Sequence, residues 1–291
     1  MGHHHSSNYG KLFAIGIGLN ITYVAVEAFY GFIINSSALL ADAGHNASDV
    51  LSLIFAWLAM WLAAKSPKGR FTYGYKKATV LTSLLNAVLL FAAVFIIAWE
   101  AIEKFKNPVP VPGQQVMVVA GIGVLINTLT ALMFMRGRKG DLNIKGAFLH
   151  MAADAAVSLG VVVSGFFIVR TGWQWIDPMM SFLIIGVIVW STWKLFTESV
   201  KLSLDAAPVN VQVNEVETFL LQYPGIDGLH DLHIWALSTT ENALTVHLVT
   251  VESGSDHLID TLQGALADRF GIRHVTLQLE DRKMALNCQT C

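Results

Sequence analysis

The sequence predicts an α-helical membrane protein, in which a bundle of six transmembrane helices is followed by a small α+β domain. Two observations carry this prediction. Of the 291 residues, 54% are hydrophobic and only 14% are charged, whereas an ordinary soluble domain carries roughly 25% charged residues. The apolar residues are concentrated in separate long segments, and after Pro208 the sequence changes to a mixture of polar and apolar positions.

Each apolar segment is close to the roughly 20 residues that a helix needs to cross a bilayer. The six predicted spans are 11–34, 39–63, 79–104, 114–135, 145–169 and 178–200. The breaks between them are polar, basic, or rich in Gly and Pro. Before the sixth span, Asp177-Pro178 predicts an N-cap followed by Pro at the first helical position.

The basic residues predict the orientation of the bundle, because short cytoplasmic loops carry an excess of Lys and Arg. The loop after the second span and the loop after the fourth hold most of them, namely Lys65, Lys68, Arg70, Lys76, Lys77, Arg136, Arg138, Lys139 and Lys145. The opposite side holds Lys104, Lys106 and Arg170. Both termini are therefore expected in the cytoplasm.

The predicted organisation is an N-terminal tail over 1–10, a transmembrane domain over 11–204 and a cytoplasmic domain over 209–291. Within the tail, His3, His4 and His5 are typical of an expression tag, and a native metal-collecting arm is the alternative. The cytoplasmic domain has alternating strands and amphipathic helices in the order αββαβ, which suits a ferredoxin-like or metallochaperone-like sandwich. Its predicted elements are 211–221, 229–237, 243–251, 256–270 and 274–279.

Two His-x3-Asp pairs lie inside the second and fifth spans, as His45 with Asp49 and His150 with Asp154. Residues four apart share one face of a helix. Ionisable groups at membrane depth are costly, and they usually mark a functional site. Two such pairs facing each other would supply two nitrogen and two oxygen ligands, which predicts a tetrahedral site for a divalent metal with zinc as the first candidate.

This site would also exchange protons. Two carboxylates and two neutral imidazoles carry a net charge of −2, which a divalent ion neutralises. Metal ligands must be deprotonated, so metal and protons compete for the same atoms. A structural zinc site would use the same ligands, but a position inside an otherwise apolar bundle favours passage of the ion. Glu27 and Asp42 also lie near membrane depth; for Glu27, a pathway role and a packing role remain open.

Three stretches of the sequence resemble the cation diffusion facilitator family, in particular its bacterial zinc, cobalt and cadmium exporters, which are related to animal zinc transporters. The stretches are SALLADAGHNASD at 37–49, YGYKK at 73–77 and GLHDLHIW at 228–235. The resemblance implies a homodimer in a bacterial inner membrane that exports cytoplasmic Zn²⁺, with Co²⁺ and Cd²⁺ as alternatives, in exchange for protons. It maps the transport site onto His45, Asp49, His150 and Asp154.

The resemblance also implies a second, regulatory zinc site in the cytoplasmic domain. The candidate ligands are His230, His247, His257, Glu280, Cys288 and Cys291. By resemblance, His230, His247 and Glu280 match one ligand set, and the two cysteines match a terminal pair. The predicted hairpin alone does not decide whether His230 or His233 lies opposite His247. The resemblance further pairs Lys77 with Asp205 as a charge interlock.

Other classes of function fit less well. A membrane zinc enzyme would need an open metal position, which four protein ligands do not leave. An ATP-driven pump would need a phosphate-binding loop, and the sequence has no Gly-x4-Gly-Lys-Ser/Thr motif. No nucleic-acid partner is expected. An uncoupled divalent-metal channel remains the alternative to an antiporter.

Overall fold

The computed structural model describes residues 6–135, 142–250 and 256–281. Six long helices come first: α1 (Ser6–Ile33), α2 (Ser37–Ala63), α3 (Ala78–Lys106), α4 (Gly113–Met135), α5 (Leu142–Thr171) and α6 (Ile176–Ser203). They are followed by α7 (Val213–Leu221), β1 (Ile226–Ala236), β2 (Asn242–Thr250), α8 (Asp256–Phe270) and β3 (Ile272–Glu280). The predicted helices and the order αββαβ are confirmed; residue 251, at the predicted end of the second strand, lies outside the described residues.

The long helices have the length and surface of membrane-spanning segments. Among the described residues, α2, α3 and α6 over their full lengths, α4 over Gly113–Met133 and α5 over Phe148–Thr171 are long and apolar enough to cross a bilayer. In α1, Gly18–Ile33 forms a shorter apolar stretch. Large apolar side chains face outward, with Trp190 82% and Phe32 76% exposed. Such a surface would be unfavourable in water, whereas helices that satisfy their own backbone hydrogen bonds suit lipid.

The chain divides into two compact units. The first consists of Met1–Ile54 and Asn86–Lys194, and the second of Phe55–Leu85 and Leu195–Cys291. The core of the first unit is formed by aliphatic side chains from α2 to α6, including Leu39, Leu90, Val94, Val119, Val161, Ile184 and Ile188.

Two glycines let α4 and α5 pack backbone to backbone within the first unit. A Cβ atom at Gly165 would lie 2.8 Å from the carbonyl oxygen of Gly113, and one at Gly113 would lie 2.6 Å from the carbonyl oxygen of Gly165. Contacts this short are forbidden for a real side chain, so both positions require glycine. Small residues commonly allow such close helix packing in membranes, and here they fix the helix that carries His150 and Asp154.

The N-terminus of α2 is capped by a side chain from another helix. The Asp177 carboxylate accepts hydrogen bonds from Ser36 Oγ at 2.5 Å and from the Ser37 backbone N–H at 2.7 Å. The prediction that Asp177 caps its own helix was wrong, because α6 already begins at Ile176. A carboxylate satisfies the free N–H groups of whichever helix end it can reach, and a local sequence pattern does not identify that helix.

The second unit contains a three-stranded sheet with the strand order β1-β2-β3. β1 runs antiparallel to β2, and β3 runs parallel to β2 after the crossover through α8. Leu244, Val246 and Leu248 of β2 are buried with Leu220 of α7 and Leu262 of α8. Since side chains alternate along a strand, Thr245, His247 and Val249 lie on the opposite face of the sheet.

Lys77 connects three parts of the second unit. Its Nζ lies 2.5 Å from Asp205 Oδ1, and it donates hydrogen bonds to the carbonyl oxygens of Leu202 at 2.8 Å and Ala236 at 3.0 Å. Asp205 adopts a left-handed backbone conformation with φ of 58°. The predicted contact between Lys77 and Asp205 is therefore confirmed, and the same ammonium group also binds the end of β1.

Candidate metal sites

The two His-x3-Asp pairs lie on α2 and α5, as the spacing predicts. Within each pair the imidazole and the carboxylate are one turn apart on one helix face. His45 Nε2 lies 4.0 Å from Asp49 Oδ2, and His150 Nε2 lies 3.7 Å from Asp154 Oδ2. Each helix therefore presents one candidate nitrogen ligand and one candidate oxygen ligand in the same direction.

The two pairs face each other across the first unit. His45 Nε2 lies 3.7 Å from Asp154 Oδ1, and His150 Nε2 lies 3.4 Å from Asp49 Oδ2. Each imidazole thus lies near both carboxylates, so that nitrogen and oxygen ligands alternate around a common centre. The ligand atoms of His45, Asp49 and Asp154 all lie within 4.8 Å of one another, and His150 completes the ring through its contacts with both carboxylates.

The burial of the four side chains is graded. Asp154 is 1% exposed and His45 is 19% exposed, whereas Asp49 is 33% and His150 is 42% exposed. Three buried atoms of this group, Asp49 Oδ2, Asp154 Oδ2 and His45 Nδ1, have no hydrogen-bond partner. Buried polar atoms are almost always satisfied. Buried carboxylate oxygens that receive no hydrogen bond and lie beside two imidazoles are what a borderline-soft divalent ion such as zinc would bind.

A buried polar group adjoins this ring one helical turn away. Ser158 Oγ donates a hydrogen bond of 2.9 Å to Asp42 Oδ2, and Asn46 Nδ2 donates one of 3.4 Å to Asp42 Oδ1. The Tyr23 hydroxyl donates a hydrogen bond of 2.5 Å to Glu27 Oε1. Sequence reasoning missed Ser158 and Tyr23. Their spacing gave a signal, because Ser158 follows Asp154 by four residues and Tyr23 precedes Glu27 by four.

A second cluster lies on the sheet of the α+β domain. The strand register pairs His230 directly with His247, and Glu280 lies opposite Val249. His230 Nε2 is 3.0 Å from Glu280 Oε2, and His247 Nδ1 is 2.8 Å from Glu280 Oε1. The ligand atoms of these three residues lie within 4.8 Å of one another. Two imidazoles and a carboxylate on one face form three-quarters of a tetrahedral zinc site.

An irregularity in β1 decides which histidine joins this cluster. His233 pairs with Thr245 and His230 with His247, so β1 uses three steps where β2 uses two. Asp231, in the bulge, has a left-handed φ of 54°. A regular ladder continued from His233 would have placed Asp231 opposite His247; the extra residue brings His230 there instead. The alternative left open by the sequence is thereby resolved in favour of His230.

The Asp231 carboxylate lies between two histidines. Its Oδ1 is 2.8 Å from His233 Nε2, and its Oδ2 is 3.8 Å from His247 Nε2. Sequence reasoning missed this residue, because its position depends on the bulge. Asp231 therefore hydrogen-bonds His233, which is not part of the cluster, and lies near His247 at a distance too long for a hydrogen bond.

Glu280 is prepared to act as an anion. Burial opposes its ionisation, but hydrogen bonds from His230 and Gln278 and the nearby imidazole of His247 outweigh burial and hold the pKa of the carboxyl group below its ordinary value. Gln278 Nε2 donates to Glu280 Oε1 at 2.7 Å. A carboxylate that is already ionised needs no proton loss before it binds a cation.

The remaining candidate ligands do not join this cluster within the described residues. His257 lies in the first turn of α8, where its Nδ1 is 3.4 Å from Thr261 Oγ1. Cys288 and Cys291 lie outside the described residues.

Comparison with known proteins assigns both parts of the chain to one family. Residues 13–202 match the family described as the cation efflux transmembrane domain, and residues 208–282 match the cation efflux protein cytoplasmic domain. The α+β domain therefore belongs to the cytoplasmic, dimer-type domain that accompanies these transmembrane regions.

Three bacterial relatives cover almost the whole chain. A protein of Bacillus subtilis named as a cadmium, cobalt and zinc/H⁺-K⁺ antiporter is 34% identical, over 96% of this chain and 92% of its own length. The metal cation efflux system protein CzcD of Cupriavidus metallidurans is 34% identical over 96% and 89%. The zinc transporter ZitB of Escherichia coli is 33% identical over 96% and 93%.

A solved structure, the metal-bound C-terminal domain of CzcD from Cupriavidus metallidurans, is 43% identical, covering 24% of this chain and 99% of that chain, with a TM-score of 0.23. The two matching domains and the nearly full-length relatives agree with the six-helix and αββαβ architecture. The chain is an integral membrane metal transporter, not an enzyme, and belongs to the cation diffusion facilitator family.

Proposed function

We propose that this protein exports Zn²⁺ from the cytoplasm in exchange for protons, through a transport site formed by His45, Asp49, His150 and Asp154. Co²⁺ and Cd²⁺ are further candidate substrates. The observation that supports this proposal best is the ring of alternating imidazoles and carboxylates between α2 and α5, in which His150 Nε2 lies 3.4 Å from Asp49 Oδ2.

The charge of this ring explains the exchange. With both carboxylates ionised and both imidazoles neutral, a bound divalent ion leaves the four side chains and the ion together neutral. Without the ion, the two carboxylates repel each other, and each added proton relieves that repulsion. The imidazoles titrate in the physiological range when unperturbed. Zinc binding therefore displaces protons, and protons displace zinc.

The names of the relatives support the same class of transport. The Bacillus subtilis relative is named for antiport of cadmium, cobalt and zinc against H⁺ and K⁺, and the Escherichia coli relative is named a zinc transporter. Two histidines in the ring favour zinc over harder ions such as Mn²⁺ or Mg²⁺, because imidazole is a softer ligand than carboxylate.

The proposed topology rests on charge placement. The basic loops support the proposal that both termini lie in the cytoplasm of a bacterial inner membrane. In that orientation the cluster of His230, His247 and Glu280 samples cytoplasmic zinc. We infer that zinc bound there acts as a regulatory ion in a homodimer and reports a high cytoplasmic zinc concentration to the transmembrane bundle.

Transport in reconstituted vesicles tests the proposal. Purified protein is placed in vesicles that contain a zinc-sensitive dye or a pH-sensitive dye, and zinc is added outside under an imposed pH gradient. Zinc entry coupled to proton exit is expected, and reversal of the pH gradient should slow zinc entry. Zinc entry that follows only its own gradient, without proton movement, would indicate an uncoupled channel instead. Asp154→Ala serves as the inactive control.

A further inference from the structure

A fully buried acidic group lies beside the proposed transport site and contains none of its four candidate ligands. It consists of Tyr23, Glu27, Asp42, Asn46 and Ser158, and is called the Glu27 cluster below. Each of these residues is at most 2% exposed. The cluster joins α1, α2 and α5 inside the first unit.

Two acceptor atoms of the cluster receive no hydrogen bond. Glu27 Oε1 accepts from Tyr23, and both oxygens of Asp42 accept from Ser158 and Asn46. The carboxyl groups of Glu27 and Asp42 also lie within hydrogen-bonding reach of each other. Glu27 Oε2 and Asn46 Oδ1, both fully buried, have no hydrogen-bond partner.

The charges around Glu27 require an added cation. Among the described residues, the titratable groups that face it are Tyr23 from its own helix and Asp42 from α2. α5 contributes the neutral Ser158 hydroxyl, and α4 contributes the backbone of Gly123 beside Tyr23. No Lys or Arg is among these groups. Two ionised carboxylates in contact at this depth would repel each other strongly in a low dielectric.

A proton is the cation that the geometry accommodates. One carboxylic acid can donate its O–H to the neighbouring carboxylate, and this shared proton accounts for the contact between Glu27 and Asp42. The space is tight, because a Cβ atom at Gly123 would overlap the Tyr23 hydroxyl. The α4 backbone therefore holds Tyr23 against Glu27, and the cluster is closely packed.

The cluster is close enough to the transport site to respond to its charge. Asp42 precedes His45 by three residues on α2, and Ser158 follows Asp154 by four on α5. The 2.9 Å hydrogen bond from Ser158 Oγ to Asp42 Oδ2 brings the Asp42 carboxylate to within one turn of α5 from Asp154. A divalent ion that displaces fewer than two protons from the two His-x3-Asp pairs adds positive charge about one turn from Asp42, and this favours the ionised form of the neighbouring Glu27.

We propose that Glu27 carries a proton-binding site that is separate from the four metal ligands and is coupled to them through Asp42. In the metal-free protein the Glu27 carboxyl group donates its proton to a hydrogen bond with Asp42. When zinc binds, its added positive charge offsets the repulsion between the two carboxylates, Glu27 ionises and this proton passes to water, so that the protein loses one proton beyond those displaced from the ligands. This inference rests on the proposed exchange of zinc for protons.

Calorimetry can count this proton. Zinc is titrated into the full-length protein in two buffers of different ionisation enthalpy, and the difference gives the protons released per zinc. Wild type is compared with Glu27→Gln, which keeps the shape of the side chain, and with Glu100→Gln, a carboxyl-to-amide control on α3. All three proteins also carry His247→Ala, which removes the cluster of the α+β domain, so wild type in this titration means wild type at Glu27 and Glu100. We expect Glu27→Gln to release about one proton fewer while its zinc Kd changes less than about tenfold.

The outcomes separate this inference from the proposed function. If wild type releases no protons, the exchange mechanism itself fails. If wild type and Glu27→Gln release equal numbers of protons, the Glu27 site is refuted while the exchange mechanism stands. Loss of zinc binding by a folded Glu27→Gln protein would make Glu27 part of the metal site and would also refute the inference.

Infrared difference spectra give a second readout that does not depend on Glu27→Gln folding. The carbonyl stretch of a protonated carboxyl group should disappear when zinc is added to wild type. Tyr23→Phe removes the hydroxyl that binds Glu27 Oε1, so the same band should shift in frequency. The assignment to Glu27 is contradicted if wild type shows no zinc-sensitive band. It is also contradicted if the band has the same frequency in Tyr23→Phe as in wild type.

Discussion

His150 on α5 places its Nε2 3.4 Å from the Oδ2 of Asp49 on α2. Together with the 3.7 Å contact between His45 and Asp154, this relationship joins two helices through their ionisable groups. Any movement that separates α2 from α5 would pull these ligands apart, and a metal ion between them would draw the helices together. Under the proposed function, the same four side chains bind the substrate and also sense its presence.

Removal of either carboxylate should abolish transport. Asp49→Ala or Asp154→Ala removes one ligand and one of the two negative charges that balance the ion. Loss of an outer-shell partner alone costs about 10- to 100-fold in metal affinity, and loss of a direct ligand should cost more. Zinc uptake into vesicles should fall to background. Glu217→Ala, at an exposed position on α7, should behave as wild type; normal uptake by a folded Asp154→Ala protein would exclude Asp154 as a ligand.

Replacement of His45 by aspartate should change selectivity. His45→Asp exchanges a soft nitrogen ligand for a harder oxygen and adds a negative charge, which favours Mn²⁺ relative to Zn²⁺. The measurement is the ratio of initial Mn²⁺ and Zn²⁺ uptake rates, which should rise by about tenfold or more for a preference change of 1.4 kcal/mol. His233→Asp, on the sheet of the α+β domain, is the control. An unchanged ratio in His45→Asp would count against direct coordination by His45.

Zinc should stabilise the α+β domain through His247. A ligand that binds only the folded state adds about 2.7 kcal/mol of stability at a concentration of 100 Kd. Zinc should therefore raise the thermal unfolding midpoint of the wild-type α+β domain, and a chelator should reverse the shift. His247→Ala should lose this response. The matched control is His233→Ala, because His233 lies on the same strand face as His230 but binds Asp231; a response lost equally in both variants would argue against the cluster.

The contacts of Lys77 should stabilise the second unit more than its ion pair alone would. Lys77→Met removes the Asp205 partner and the hydrogen bonds to two backbone carbonyls, whereas Asp205→Asn weakens only the ion pair. Asp205 is 65% exposed, so a double-mutant cycle should give a coupling of only about 0.2–1 kcal/mol. Lys77→Met should destabilise the protein more than Asp205→Asn in reversible detergent unfolding. Lys68→Met, at an exposed loop position, should have little effect; equal stability of Lys77→Met and Lys68→Met would contradict this account.

The sequence predicts much of the fold because the membrane imposes strong constraints. Long apolar segments identify the helices, and the His-x3-Asp spacing places each ligand pair on one helix face. That the two pairs meet is suggested only by their similar positions in spans two and five, and the spacing does not give the distances between them. The close packing of α4 and α5 at Gly113 and Gly165 is a further feature that the spacing does not give. Nothing in the sequence around these glycines indicates which helix each of them contacts.

Other features depend on irregularities that a regular pattern does not contain. The one-residue bulge at Asp231 selects His230 over His233, and no turn residue in the hairpin specifies it. Asp177 looks like the cap of its own helix but binds the N-terminus of α2. In both cases a single local shift determines which polar groups meet, whereas hydrophobic periodicity reports only which face is buried.

X-ray absorption spectroscopy at the zinc edge tests the central claim most directly. The protein would carry His247→Ala and alanine at His3, His4 and His5, and would be loaded with less than one zinc per chain. We predict four nitrogen or oxygen ligands at about 2.0–2.2 Å, with scattering from two imidazoles that falls to one in His45→Ala and in His150→Ala. A zinc shell without imidazole scattering, or one that neither substitution changes, would show that α2 and α5 do not bind the ion together.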